Sequence, residues 1–257
     1  MTAVERLYIL LCGYEVIPKS VSTLGHGQNF MICAPICVYL LKTLTGWTML
    51  DTGLDPFYIS TEKNKARYFS DYGVTPPIIR EGHDLEGLLA EIGIGLDDIS
   101  DVIISHLHYD HSGYIKKLPN AVIHIQEAEY SYAMESKEYG YFTEDFASDD
   151  IAWTFHNGDW NLCPGLDLIA TCGHTPGHQS AIVTLPSSGK KILTFDAGDL
   201  RENFAHEVLP GVTYDAEAAL ESIQRINALS QRFNAELILF HDPQEIQELP
   251  LSPNFYA

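Results

Sequence analysis

The stretch Ser105-His106-Leu107-His108-Tyr109-Asp110-His111-Ser112-Gly113 packs three histidines and an aspartate into six positions, directly after the apolar run Val102-Ile103-Ile104. Such a run reads as a buried strand, and at its end the chain leaves the sheet, where side chains converge on one point. Imidazole and carboxylate together suit zinc and other borderline divalent ions. Four such groups in one loop exceed what a single tetrahedral centre with an open position takes, so two adjacent cations are the simpler reading. The competing reading, a solvated loop whose histidines cap strand ends, requires the clustering to be coincidental.

Three further strand ends carry the same residue types. His174-Thr175-Pro176-Gly177-His178 follows an apolar run ending at Thr171, Asp196 follows Ile192 to Phe195, and His241-Asp242 follows Leu237 to Phe240. With aligned sheets, all of these loops open on the same edge.

The other elements are read from periodicity and breakers. Val4 to Leu11, Pro35 to Lys42, Trp47 to Leu50, Ala121 to Ile125, Leu166 to Thr171, Ser180 to Leu185, Lys191 to Phe195 and Glu236 to Phe240 read as strands. Asp84 caps a helix over Leu85 to Ile92, a helix starts over Glu127 to Met134, and Asp215 caps one with an apolar stripe of Ala219, Leu220, Ile223, Ile226 and Leu229. Gly13 to Ala34 reads as a long irregular segment of the lid type. Its apolar residues, Phe30 and Met31 among them, either line a channel or pack as core. Residues 135–159 take no clear element, although the aromatic stretch Tyr130 to Phe155 suits an interface, which leaves a homodimer open. Each half supplies strands plus an external helix, and no linker or repeat divides the chain. The expectation is therefore one α/β domain over residues 1–257, layered helix, sheet, sheet, helix.

Charge narrows the partners. Thirty-five acidic against 15 basic residues give a net charge of −20, which repels nucleic acid and anionic membranes and favours a neutral or weakly polar small molecule. Cys12, Cys33, Cys37, Cys163 and Cys172 are scattered and form no C-x-x-C pair. That argues against a disulfide framework or thiolate zinc site and for a reducing cytoplasm. No stretch approaches the roughly 20 apolar residues of a membrane span.

Taken in order, the motifs resemble those of the metallo-β-lactamase superfamily. H-x-H-x-D-H stands at His106, His108, Asp110 and His111, with LDTG at Leu50 to Gly53, HTPGH at His174 to His178, LTFD at Leu193 to Asp196 and FHD at Phe240 to Asp242. The resemblance implies a four-layer αβ/βα sandwich with two Zn2+, for which Co, Mn or Fe are substitutes. By motif it implies that His106, His108 and His178 hold one zinc, that Asp110, His111 and His241 hold the other, and that Asp196 bridges them. His174 then steadies its turn. Asp51 would orient a ligand histidine from behind; taken alone, it reads equally well as a turn cap.

Within that superfamily the chain looks most like the N-acyl homoserine lactone lactonases, on Pro35 to Leu41, Ser105 to His111, Glu127-Ala128-Glu129-Tyr130, Thr175 to Ser180 and Glu202-Asn203-Phe204. This implies zinc-dependent hydrolysis of a lactone ring by a water shared between the metals, and quenching of bacterial signalling, with Asp110 as the catalytic proton carrier. Asp199 stands where such enzymes usually have a tyrosine that contacts the substrate carbonyl. A carboxylate donates a hydrogen bond only when protonated, so either Tyr109 or Tyr214 stands in, or the substrate differs. Ala197-Gly198-Asp199 also resembles a bridging-aspartate motif of other branches; Asp196 is preferred because it ends the apolar strand. The alternatives are hydrolysis of another lactone, ester, thioester or phosphoester on the same site, and a diiron redox or purely metal-binding role. A thioesterase for anionic conjugates would want a basic patch, and Lys116-Lys117 is the sole candidate.

Overall fold

The computed structural model describes residues 2–257. Eleven strands form two sheets. The first contains β1 (Val4–Pro18), β2 (Met31–Thr43), β3 (Trp47–Leu50), β4 (Ile99–Ile103), β5 (Val122–Gln126) and β6 (Ala152–His156), paired in that order. Its first three strands are antiparallel and β3 to β6 run parallel. The second contains β7 (Trp160–Cys163), β8 (Leu166–Ala170), β9 (Gln179–Leu185), β10 (Gly189–Leu193) and β11 (Glu236–Ile238), also paired in sequence order, with only the β10–β11 pair parallel.

The period-two alternation of the strands distributes their side chains between two cores. Leu7, Ile9, Tyr39, Leu41 and Ile103 face Leu166, Ala181, Val183 and Leu193 between the sheets. Their neighbours Leu10, Leu40, Val102 and Ile123 point the other way, onto Leu85, Leu88 and Leu89. On the far side Ile169, Ile182 and Ile192 meet Ile223 and Ile226. The layers are therefore helix, sheet, sheet, helix, as the αβ/βα sandwich requires, and burial on both faces explains why the strands read as near-continuous apolar runs.

Helix ends follow the expected chemistry. Asp84 accepts from the Gly87 N–H at 2.9 Å and starts the helix Leu85–Ile92, which stops at Gly93 with φ 83°. Asp215 accepts from the Glu217 and Ala218 N–H groups and starts Ala216–Phe233, with Ala219, Ile223 and Ile226 buried.

Two expectations change. Gly13 to Ala34 is largely not a loop: β1 continues to Pro18 and β2 begins at Met31, paired from Gly13↔Ile36 to Pro18↔Met31 after a bulge at Leu11/Gly13. Beyond the sandwich this ribbon no longer has an apolar layer on each face, so Tyr14, Glu15 and Pro18 replace the aliphatic run and the strand signal fades. Residues 135–159 include the edge strand β6 and a helical turn at Thr143–Asp145. Most of β6 is partly exposed, hence its weak pattern. In the aromatic stretch before and within it, Tyr130 packs on Trp153 and Phe155 of the same chain, while Tyr141, Phe142 and Phe146 are buried.

The loops after β3, β4, β10 and β11, and the loop joining β8 to β9, all lie at one edge of the sandwich. This edge carries the site.

Candidate metal centre

After β4 the chain turns through His106 and His108 into a short helical turn, Tyr109–Ser112, which adds Asp110 and His111. Across from them stands His174 of the β8–β9 loop. Its Nε2 lies 3.2 Å from His106 Nε2 and 3.1 Å from His108 Nδ1, and those two are 3.0 Å apart. Donors around a tetrahedral zinc at about 2.05 Å are roughly 3.3 Å apart, so three nitrogens at this spacing outline a cation position.

A second position adjoins it. Asp110 Oδ2 lies 3.2 Å from His111 Nε2 and 3.5 Å from His241 Nε2. Asp196 reaches both: Oδ1 is 3.4 Å from His111 Nε2, and Oδ2 is 3.4 Å from both His174 Nε2 and His241 Nε2. His111 Nε2 and Asp196 Oδ1 are fully buried with no hydrogen-bond partner. Buried polar atoms without partners are costly, and a cation between them removes that cost. The donor set, imidazole and carboxylate without thiolate, fits two divalent ions.

The back sides of three of the imidazoles are tied down, as metal ligation needs. His111 Nδ1 donates to Asp51 Oδ2 at 2.7 Å, His174 Nδ1 to the Val212 carbonyl oxygen at 2.9 Å, and His241 Nδ1 to the Pro35 carbonyl oxygen at 2.9 Å. Asp51 also accepts from the Ser105 N–H and hydroxyl, both at 2.7 Å, so it orients the ligand loop and is no mere turn cap. Glu129 locks the two ligand loops together: its carboxylate accepts from Leu107 N–H at 3.0 Å, the Thr175 hydroxyl at 2.5 Å and Gly177 N–H at 3.2 Å. Gly177 lies against the Glu129 backbone, where a Cβ has no room.

Burial and neighbouring imidazoles push His106 well below its usual range and His108 to about 3; burial also lowers His174. All three present neutral lone pairs. His111 and His241 behave oppositely. Burial lowers them, but carboxylates outweigh it, raising His111 well above its normal value through Asp110 and Asp196, and His241 to about 10 through Asp196.

One ligand assignment is corrected. His178 does not join the cluster; His174 does. His178 immediately precedes β9 and is directed into the sandwich, where its Nδ1 donates to the Thr171 carbonyl oxygen at 3.0 Å and its Nε2 accepts the Asp196 N–H at 3.1 Å. It therefore holds Asp196 from behind. The available signal was the pair of polar residues beside apolar runs, Thr171 and Ser180: the Thr171 hydroxyl contacts the His178 ring, and Ser180 in turn holds that hydroxyl.

Above the cluster lies a cavity of about 430 Å³, walled by Val16, Ile17, Val21, Met31, Val74 and Val212. Met31 lines it, whereas Phe30 does not; Phe30 is 68% exposed and borders a separate depression. Tyr109 lines it, but its hydroxyl donates to Glu15, a residue that no motif or periodicity singles out. Tyr214 is 57% exposed, packs edge-on against Tyr132 and is absent from the cavity wall, so it is no stand-in for the missing tyrosine. Asp199 does face the cavity, with Oδ1 buried and unpartnered; burial and Asp196 push it up to about 7.

Residues 34–193 match the Metallo-beta-lactamase superfamily. An N-acyl homoserine lactonase of Bacillus sp is 32% identical over 254 residues, 98% of this chain and 99% of that protein. The N-acyl homoserine lactonase AttM of Agrobacterium fabrum is 30% identical, covering 91% of this chain and 90% of its own. Among solved structures, a Bacillus thuringiensis AiiA variant with N-decanoyl-L-homoserine bound at its active site superposes with a TM-score of 0.91 at 30% identity over both full chains. An N-acyl homoserine lactone hydrolase with its product N-hexanoyl-L-homoserine at the catalytic metal centre gives 0.90 at 29% identity, covering 100% of both chains.

Proposed function

Because the chain belongs to the metallo-β-lactamase superfamily and, within it, to the N-acyl homoserine lactonases, we propose that it hydrolyses the lactone ring of N-acyl homoserine lactones and so quenches signalling by them. The observation that carries this reading is the convergence of His106, His108, Asp110, His111, His174, Asp196 and His241 beneath an apolar cavity, with buried His111 and Asp196 atoms left unpartnered.

We propose zinc for both positions, with His106, His108 and His174 holding one ion, Asp110, His111 and His241 the other, and Asp196 shared. Bound there, the pair supplies an acidified water and an electrophile for the ester carbonyl oxygen. The chain does the rest. Asp110, whose Oδ2 lies between His111 and His241, keeps Oδ1 to carry a proton to the departing alcohol oxygen. Asp199, when protonated, donates to the substrate carbonyl in place of the absent phenol. Val16, Ile17, Met31 and Val74 take the acyl chain and exclude water.

The same wall argues against anionic thioesters and phosphoesters: among the described residues no lysine or arginine lines the cavity. No helix among them is long and apolar enough to cross a membrane. Five cysteines without disulfides fit the reducing cytoplasm we propose as its compartment.

The test is a proton-release assay of zinc-loaded protein on a panel of lactones, thioesters and phosphoesters. Turnover of acyl homoserine lactones is expected; turnover of phosphoesters alone would end this reading.

A further inference from the structure

Once the cation-binding side chains and Asp199 are set aside, the polar side chains left on the cavity wall are Glu15, Thr75, Tyr109 and Tyr139. The Tyr109 hydroxyl donates to Glu15 Oε1, and the Tyr139 hydroxyl donates to the Tyr68 carbonyl oxygen at 3.0 Å. These two donors are therefore spent within the protein. Glu15 is left with an acceptor to spare: among the described residues no second donor reaches its carboxylate, and its other oxygen is not among the fully enclosed atoms, so it opens to the cavity.

Glu15 is otherwise an unexpected residue. It is 8% exposed, sits between Tyr14 and Val16 on the projecting part of β1, and touches the same cavity as Val16, Ile17 and Val74. Asp110, His241 and Asp196 line the same cavity, so Glu15 shares the chamber in which a carbonyl over the cations reacts. Tyr109 is itself fixed, its ring stacked on Phe142 at 4.7 Å and edge-on to Phe69. The Glu15 carboxyl is thus held rigidly at the cavity wall with one acceptor oxygen facing the space a substrate enters, where a matching donor is favoured.

We propose that Glu15, positioned by Tyr109, accepts a hydrogen bond from an amide N–H carried on the carbon next to the lactone carbonyl, and so selects N-acylated lactones over lactones with a plain alkyl arm. The inference rests on the lactonase reading above and adds the group that recognises the amide. A largely buried acceptor that loses or gains one such partner changes specificity by about 10- to 100-fold.

The experiment compares the zinc-loaded parent with Glu15→Ala, Glu15→Gln and Tyr109→Phe on two substrates of matched length, N-decanoyl-homoserine lactone and an α-alkyl-γ-butyrolactone. Metal content and thermal melting are measured on each protein. We expect the parent to prefer the amide substrate. Glu15→Ala should lose about 10- to 100-fold in kcat/KM on the amide, mostly through KM, so that its preference collapses. Glu15→Gln keeps the shape and one acceptor oxygen and should fall between; Tyr109→Phe should relax the preference in the same direction. Equal losses on both substrates, or an unchanged preference in Glu15→Ala with both metals retained, would overturn the assignment. A parent inactive on both lactones would instead remove the lactonase reading, and this inference with it.

Discussion

Asp51 and His111 join the loops that leave two neighbouring parallel strands: the His111 Nδ1–H donates to Asp51 Oδ2 at 2.7 Å while His111 Nε2 faces Asp110 and Asp196. Asp51 adopts φ 57°, and the two Ser105 contacts keep its carboxylate in place. Asp51→Asn keeps the volume but removes the charge that orients the ring. We expect about 10- to 100-fold weaker binding of one cation per chain, read by competition with a chromophoric chelator. Unchanged affinity at both positions would refute the role of Asp51.

The two histidines of the β8–β9 loop separate by their partners. His174→Ala should remove the first cation position and abolish turnover. His178→Ala should retain two ions per chain yet lose about 1–3 kcal/mol of stability, because the Thr171 carbonyl oxygen and the Asp196 N–H lose a buried partner. Metal analysis with urea unfolding distinguishes them; the opposite pattern would restore His178 as the ligand.

Cation uptake should release protons. Carboxylates hold His111 and His241 protonated in the metal-free protein at neutral pH, His241 up to about 10, and a cation must displace those protons. Affinity therefore rises with pH and stops gaining from His241 above about 10. Calorimetry at pH 7 in buffers of different ionisation enthalpy should report about two protons released per chain. Uptake without proton release would contradict the charge state assigned to both histidines.

Chain-length preference should follow the cavity wall. Met31→Ala should weaken long-chain substrates more than short ones, and Phe30→Ala should affect both little, since only Met31 lines the cavity. Equal effects of the two variants on a C6 and C12 pair would exclude Met31 from acyl binding.

Asp199 gives a further handle on the substrate. If its protonated form donates to the carbonyl, Asp199→Asn supplies an N–H donor at every pH and should retain most activity with a flatter alkaline limb. Asp199→Ala should cost on the order of 100-fold in kcat. The same loss in both variants would mean that Asp199 only fills space.

The site was legible where strands buried on both faces end in ligand-type residues. Ile103 at the end of β4 and Leu193 at the end of β10 announce His106 and Asp196 through periodicity alone, and Asp215 and Asp84 announce their helices through caps. His174 and His178 were not separable in this way, because both lie in one loop four residues apart. Only the three-dimensional start of β9 at Gln179 sends one ring between the sheets and leaves the other over the cations. Glu15 was invisible for a related reason. It lies on a strand extended past the sandwich, where alternation persists but no second layer enforces hydrophobicity.

That extension has an evolutionary consequence. Glu15, Val16, Ile17 and Met31 reach the active cavity from a single covalent ribbon, while all the cation-binding side chains come from elsewhere in the chain. Much of the substrate-facing wall and the reaction chemistry are therefore encoded on separable segments. Exchanging residues 14–34 between relatives, which leaves Pro35 and its hold on His241 in place, should transplant the selectivity this ribbon carries without rebuilding the metal cradle.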